Sequence, residues 1–160
     1  MVADESAEFP AALAYAARLA RGAGWRLIML RVIEPAEPAP WASVSEEIKR
    51  QSMSAAENLT QRFSAEVLAD TGVETEIIIK EGELRPELKR LLEDEPGIQL
   101  AVLGASSSSK GPGPLVASLA KGQGLGGRAV PVLVVPGALS KDEVKALVLP
   151  VVLPPSAAAS

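Results

Sequence analysis

Residues 98–119 read IQLAVLGASSSSKGPGPLVASL, and this stretch carries the pattern that decides the fold. Five of its first six residues are apolar, which is typical of a strand buried on both faces of a parallel sheet. Glycine, serine and proline then break the pattern, and Pro114 begins a segment whose apolar spacing predicts a short helix. Strand, loop and helix in this order form the unit from which α/β folds are built.

The same unit occurs four times along the chain and is followed by a fifth strand. The predicted strands lie at residues 1–3, 25–33, 73–79, 98–103 and 129–135, with helical patterns between them. Crossovers of this kind predict one doubly wound parallel sheet of five strands, with helices on both faces. The second and fourth strands are the most apolar and belong inside, whereas the third alternates and the fifth contains Pro131. The predicted strand order is therefore 3-2-1-4-5.

Composition excludes several classes of site. The 160 residues contain no cysteine and no histidine, which removes disulfides, zinc–thiolate sites, thiol catalysis and the Ser-His-Asp triad. A formal charge of −4 argues against a nucleic-acid partner. No run approaches the roughly 20 apolar residues that span a bilayer, and the acidic start MVADESAEF is unlike a secretory signal. We therefore expect a cytoplasmic protein with no membrane partner, no metal site and no catalytic residue.

The predicted strand order also indicates where a ligand binds. Open parallel sheets bind ligands at the carboxyl ends of strands beside the point where the order reverses, here between strands one and four. Asp4 ends the first strand and the loop 104–113 follows the fourth, so both are expected to border one crevice. Two interpretations of the loop stay open. In the first, an anion binds to the N–H groups of the loop, the hydroxyls of residues 106–109 and Lys110. In the second, the loop is a solvated connection, and the absence of a P-loop pattern agrees with this.

Two stretches of the chain resemble a known family. VADESAEFPAALAYAARLARGAGWRLIMLRVIEP near the start and AVLGASS…LVASLAKG…VPVLVVPG near the end are similar to a universal stress protein domain over residues 1–137. The resemblance implies an adenine-nucleotide alpha-hydrolase-like fold with the 3-2-1-4-5 sheet, and a homodimer formed through the last strand, residues 130–135. One branch of the family binds ATP with a loop written Gly, two residues, Gly, nine residues, Gly, then Ser or Thr. The other branch lacks this loop and does not bind ATP.

Aligned with that loop, the sequence keeps the spacing and loses two of the glycines. Gly104 takes the first position and Ser107 the second. Ala117 takes the third and Ser118 the last. Ser107 keeps its N–H, whereas the Cβ of Ala117 obstructs a phosphate or strains the backbone by about 1 kcal/mol where φ must be positive. The resemblance implies phosphate contacts at Gly104, Ser107 and Ser118, the last with a hydroxyl and N–H at a helix start. Lys110 is either a counter-charge or a solvated side chain.

The resemblance also assigns a nucleoside contact to the first strand and its neighbour. Asp4 matches the acid that contacts the ribose in the ATP-binding branch, and Val32 matches a position near the base. Alternatively, Asp4 is a turn or cap residue before the first helix, and Val32 is an ordinary core residue. The leading hypothesis is a homodimeric stress-response protein that binds ATP with Mg²⁺. It is not predicted to be an enzyme, although slow hydrolysis of ATP stays open.

Two other hypotheses compete with nucleotide binding. The first is a dimeric interaction module of the same fold that binds no nucleotide and pairs through residues 130–135. The second is a receiver domain, which needs a phosphorylatable Asp at the end of its third strand. That strand ends here in Lys80, Glu81 and Gly82, so the receiver hypothesis is set aside.

The two ends of the chain give separate expectations. Beyond residue 137 the pattern SKDE predicts a capping box and a helical turn, and residues 138–160 are expected to be this turn and a disordered tail. At the other end, three residues precede Asp4, which is short for a central strand. Additional apolar residues before Met1 are therefore expected to raise the melting temperature.

Overall fold

Strands and helices alternate along the chain in a computed structural model, which describes residues 1–35, 37 and 41–147. In chain order the elements are α1 (Phe9–Ala23), β1 (Leu27–Ile33), α2 (Ala42–Thr71), β2 (Thr75–Glu81), α3 (Leu84–Asp94), β3 (Ala101–Ala105), α4 (Pro114–Ala120), β4 (Val132–Pro136) and α5 (Lys141–Ala146). The strands β1 to β4 are the second to fifth predicted strands. Residues 1–3, called the N-terminal segment below, stand in the place of the first.

The strands are paired in parallel. β1 pairs with β2 along all seven residues of each strand, and β3 pairs with β4 along all five. The N-terminal segment adds one isolated parallel bridge, between Val2 and Leu30 of β1. Every described pairing is parallel, as the crossover helices require.

The α/β class with parallel strands is confirmed, but the predicted single sheet of five strands in the order 3-2-1-4-5 is not. Within the described residues the strands form two separate two-stranded sheets, β1–β2 and β3–β4. The cause lies in the N-terminal segment, which bridges β1 at one residue pair and, in the described chain, makes no ladder with β3. Three residues are too few to complete a ladder on both sides.

Side chains alternate across the strands and fill two apolar cores. Met29 and Val102 lie in the first core, together with side chains of α1, α2 and α5. Leu30 and Leu103 lie in the second core, together with side chains of α3 and α4. Successive residues of a strand point to opposite faces, so the continuous apolar runs of β1 and β3 contribute to both cores. Helices therefore pack on both faces of the strands.

Glycine ends the two longest helices, and a capping box begins the last. Gly24 (φ 68°) and Gly72 (φ 73°) follow α1 and α2 in the left-handed conformation that glycine adopts most easily. At the start of α5, the Ser140 hydroxyl accepts a hydrogen bond from the Glu143 N–H, and the Glu143 carboxylate accepts one from the Ser140 N–H. The capping box predicted from SKDE is confirmed.

The C-terminal part of the described chain packs on the domain. α5 contacts α1, and its Val144 is buried in the first core. The tail predicted beyond this helix falls on residues 148–160, which lie outside the described residues. Among the helices of the described ranges, none combines the length and the apolar character needed to cross a bilayer.

Candidate functional site

Two adjoining cavities open at the carboxyl ends of the N-terminal segment, β1 and β3, and together they are called the crevice. The larger has a volume of about 490 Å³ and is lined by Val32 at the end of β1 and by Ala55 and Leu59 of α2. The smaller has a volume of about 80 Å³ and is lined by Gly104 and the first turn of α4. Asp4 lines both cavities. The end of the N-terminal segment and the end of β3 therefore border one crevice.

Asp4 is exposed at the rim of both cavities and holds the turn before α1. Its Oδ1 accepts hydrogen bonds from the Ser6 N–H at 2.9 Å and from the Ser6 hydroxyl at 2.5 Å. This is an Asx turn, in which a side-chain oxygen takes the place of a backbone acceptor. Within the described chain the second carboxylate oxygen of Asp4 has no hydrogen-bond partner, so one side chain both caps the turn and presents an acceptor at the rim.

The loop after β3 is closed by its own hydrogen bonds. The Ser106 N–H donates to the Pro112 carbonyl at 3.2 Å, which joins the two ends of the loop. The Ser106 hydroxyl accepts from the Ser108 N–H at 3.2 Å and donates to the Ser108 hydroxyl at 3.1 Å. Ser107 and Lys110 are exposed and line neither cavity. The loop is thus a surface turn beside the crevice, and these two residues lie outside the crevice.

Ser118 and Ala117 lie inside α4 and not at its start. The helix begins at Pro114 after the N-cap Gly113, so Ser118 is its fifth residue, and the expectation that Ser118 opens the helix is wrong. The Ser118 hydroxyl donates to the Pro114 carbonyl at 2.8 Å and accepts from Arg85 Nη1. Neither Ala117 nor Ser118 lines the crevice. Proline starts the helix early because its fixed φ suits the first helical turn.

Gly104 packs closely against another part of the protein. A Cβ at this position would lie 3.0 Å from both the carbonyl oxygen and Cγ of Glu8, the residue before α1. Glu8 also lines the smaller cavity. Glu8 therefore lies close against Gly104 beside the smaller cavity.

Arg31 is a functional candidate that the sequence analysis did not single out. It is the one cation that lines either cavity in the part of the chain that the structure describes. Its Nη1 donates to the Ala3 carbonyl at 3.3 Å, and its Nη2 lies 4.0 Å from the carboxylate of exposed Glu5. Its Nε is buried without a hydrogen-bond partner in these residues. A charged residue within the apolar run LIMLRVI is the signal that could have indicated it.

The size and charge of the crevice suit a nucleoside better than a triphosphate. Ligand cavities in proteins range from about 300 to about 1,000 Å³. The larger cavity lies in this range and the smaller lies below it. Four carboxylates also line the two cavities, namely Asp4, Glu5, Glu8 and Glu34, and they oppose an uncompensated phosphate.

An Mg²⁺ ion in the crevice would need ligands in addition to those of the described residues. Among the described residues, no group of three or more acidic side chains could hold a metal ion without other ligands. Mg²⁺ bound to phosphates needs only one or two protein carboxylates. Asp4 and Glu8, which line the smaller cavity, would supply them.

Solved structures share the fold of this chain. Universal stress protein UspA from Lactobacillus plantarum matches with a TM-score of 0.69 at 19% identity, over 84% of this chain and 93% of that one. The hypothetical protein MJ0577, the subject of a structure-based assignment of biochemical function, matches with a TM-score of 0.69 at 23% identity, over 87% and 94%. A universal stress protein family member from Burkholderia pseudomallei matches with a TM-score of 0.55 at 19% identity, over 84% and 92%. At these identities the likeness shows the fold alone.

Comparison with a family model covers most of the chain. No curated protein matches the sequence. The model of the universal stress protein family matches residues 1–136, which include β1 to β4 and every residue named above as lining the crevice. The family expected from the opening and closing stretches of the sequence is thus confirmed. The chain belongs to the universal stress protein family.

Proposed function

We propose that this protein is a cytoplasmic, homodimeric binding protein that takes an adenine nucleotide in the crevice and catalyses no reaction. The larger cavity carries the proposal, because it has the volume of a ligand site and lies at the carboxyl ends of parallel strands. A chain without cysteine needs no oxidising compartment, which supports the cytoplasm. The chain also lacks histidine, the commonest catalytic base, which supports binding over catalysis.

The walls of the larger cavity match the parts of a nucleoside. Val32 and Leu59 supply apolar surface for the base, and Asp4 supplies an acceptor for a ribose hydroxyl. Arg31 supplies a positive charge in the cavity wall, with 23% of its side chain exposed. A hydrogen bond from this charged group to an acceptor of the ligand would contribute about 1.5–3 kcal/mol.

The phosphates are expected to add little to the affinity. The smaller cavity is about 80 Å³, and the carboxylate of Glu8 lines it. The hydroxyls of Ser106 and Ser118 already form hydrogen bonds within the protein. We therefore expect the dissociation constants of adenosine and of ATP with Mg²⁺ to agree within roughly tenfold. A tenfold difference corresponds to about 1.4 kcal/mol, which is less than one strong charge-assisted hydrogen bond contributes.

Calorimetric titration of a matched pair of variants tests the site. Ala55 is an exposed residue of α2 that lines the larger cavity, whereas Ala65 is exposed on the same helix and lines neither cavity of the crevice. Tryptophan at position 55 would occupy the cavity. Ala55→Trp is expected to weaken the binding of adenosine and of ATP at least tenfold, and Ala65→Trp is expected to leave both unchanged.

A second candidate function remains if the unsubstituted protein gives a flat titration with both ligands. It is a dimeric interaction module that binds no nucleotide. The positions of Ser107, Lys110 and Ser118 outside both cavities favour this module. Saturable binding that survives Ala55→Trp would place the nucleotide elsewhere on the protein and contradict the assignment of the larger cavity.

The proposed homodimer forms through β4 (Val132–Pro136), which overlaps the predicted strand 130–135. In the described chain β4 pairs with β3 on one side and with no strand on the other. Val134 of this strand is 39% exposed. An apolar strand edge of this kind is a template for pairing with a second copy.

A single charge on this edge is expected to separate the protomers. Val134→Asp should convert the dimer to a monomer, because a desolvated carboxylate opposes its symmetry mate across the interface. Val44→Asp is the control, since Val44 is exposed to a similar extent, 43%, on α2. Light scattering during gel filtration measures the mass. A dimer that persists in Val134→Asp, or a monomer before substitution, would disprove the interface.

A further inference from the structure

A cavity separate from the crevice opens between α1, α2 and α5, and it is called the helix groove. Its volume is about 620 Å³, which lies within the range of about 300 to about 1,000 Å³ found for ligand cavities. Its lining comes from side chains within residues 10–22 of α1, 66–71 of α2 and 141–145 of α5. The residues that line the crevice do not line the helix groove, so the two sites are separate.

The floor of the helix groove is apolar and long. It is lined by small and aliphatic side chains of α1 and α2, namely Leu13, Ala14, Ala17 and Val67. Pro10 and Gly22 of α1 both line the groove, and an α-helix rises 1.5 Å per residue, so the groove extends about 18 Å along α1. A cavity of this length with an apolar floor suits an extended hydrocarbon chain.

Two ion pairs cross the groove from α5 to α2. The Lys141 Nζ lies 2.7 Å from the carboxylate of Glu66, and the Lys145 Nζ lies 3.9 Å from that of Asp70. The two lysines are four residues apart on α5 and the two acids are four residues apart on α2, so the ion pairs lie one helical turn apart. These four charges therefore compensate one another.

Two arginines of α1 bring positive charge that no carboxylate compensates. The Arg18 Nη1 donates to the Val144 carbonyl at 2.8 Å, which is a neutral partner. Arg21 is exposed one turn further along α1 and forms no salt bridge within the described residues. Four cationic and two acidic side chains line the groove, so its net charge is +2, although the whole chain carries −4. Such a lining favours an anionic ligand.

An apolar floor with uncompensated arginines at one end matches an amphipathic anion. We propose that the helix groove binds the anion of a fatty acid, with its carboxylate at Arg18 and Arg21 and its hydrocarbon chain along the floor toward Pro10. A guanidinium pairs with a carboxylate through two parallel hydrogen bonds. The methylene stems of the arginines and lysines add apolar surface beside the chain.

The walls favour a hydrocarbon chain over an acidic peptide. All three walls are helices, and a helix uses its backbone N–H and C=O groups within itself. A bound peptide would therefore find few backbone partners here, whereas a hydrocarbon chain needs none. The proposal is independent of nucleotide binding, because the crevice and the helix groove have no lining residue in common.

Calorimetric titration of the full chain with three ligands tests the chemistry. The probes are decanoate below its micelle concentration, 1-decanol and butanoate. We expect saturable binding of decanoate, and at least tenfold weaker binding of 1-decanol because it has no charge to pair with the arginines. Butanoate has six fewer methylenes, each of which contributes roughly fourfold to the affinity when buried, so it should bind at least a hundredfold more weakly than decanoate. A flat titration with decanoate, or equal binding of 1-decanol, would overturn the proposal.

Two matched pairs of variants locate the bound acid. Arg21→Gln is expected to weaken decanoate at least tenfold, whereas Arg50→Gln, at an exposed position of α2 outside the groove, should leave it unchanged. Ala14→Glu places a carboxylate on the floor and should also weaken decanoate at least tenfold, whereas Ala65→Glu, at an exposed position of α2, should not. If Ala14→Glu fails to fold, the arginine pair and the three ligands still decide the question. Equal affinities of Arg21→Gln and Arg50→Gln, or displacement of decanoate by adenosine, would contradict the assignment.

Discussion

Replacing Gly137 with alanine is expected to lower the free energy of unfolding by about 2–3 kcal/mol, as overpacking of a rigid contact does. Gly137 follows β4, and its N–H donates to the Ala105 carbonyl at 2.8 Å. A Cβ at position 137 would lie 2.7 Å from that carbonyl oxygen and closer still to Cβ of Glu8. Neither neighbour is the free end of a flexible side chain, so relief requires a shift of α1 or the loss of the hydrogen bond.

Urea unfolding measures this effect, and a second glycine supplies the control. Gly22 is exposed in the last turn of α1, and a Cβ there would meet no atom within 4 Å. Gly22→Ala should therefore raise the free energy of unfolding by about 0.5–1 kcal/mol. Adding Glu8→Gly to Gly137→Ala removes one of the two clashes and should restore part of the loss. Similar stabilities for Gly137→Ala and Gly22→Ala would show that α1 moves freely against β3 and β4.

Acidification from pH 8 to pH 6 is expected to lower the free energy of unfolding by up to about 2–3 kcal/mol when Met1 carries a free amino group. Burial lowers the pKa of the Met1 amino group from 8.0 to about 6. Between pH 6 and pH 8 the Met1 amino group is more fully protonated in the unfolded chain than in the folded chain. A fall in pH across this range therefore favours unfolding. The stability is lowest below pH 6 and is fully regained above pH 8.

The composition of the protein makes this pH step easy to assign. The chain has no histidine, so no side chain with an ordinary pKa titrates between pH 6 and pH 8. Urea unfolding at constant ionic strength across this range measures the step, and the same chain acetylated at Met1 should lack it. Equal pH dependence of the free and acetylated chains would show that the amino group is solvated in the folded protein.

The elements of this fold were predictable because their signals are local. Apolar periodicity indicated β1 to β4 and the helices between them, since the repeat of side-chain directions follows from the backbone of a single element. Gly24 and Gly72, which end α1 and α2, are signals of the same local kind. Ser140 and Glu143 form the expected capping box.

The crevice was predictable only in part. Asp4 and Gly104 line it as the strand ends indicated, and Val32 lines it as the family resemblance implied. Nucleotide binding there stays a prediction. Ser118 does not begin α4. Its place in the family's loop pattern follows from the number of residues after Gly104, whereas the start of the helix is determined by Pro114. Arg31 was missed, because its partners, Ala3 and Glu5, come together with it only when the N-terminal segment lies beside β1.

The sequence alone determined the α/β class, the helices on both faces of the strands and the family, because each depends on residue types at regular spacing. Only the tertiary structure showed that the N-terminal segment bridges β1 without a ladder to β3, and that Glu8 covers Gly104. It alone also located the crevice. Cavities and ladders arise from the distance between segments far apart in the chain, and that distance is decided by how whole elements pack, which no local pattern encodes.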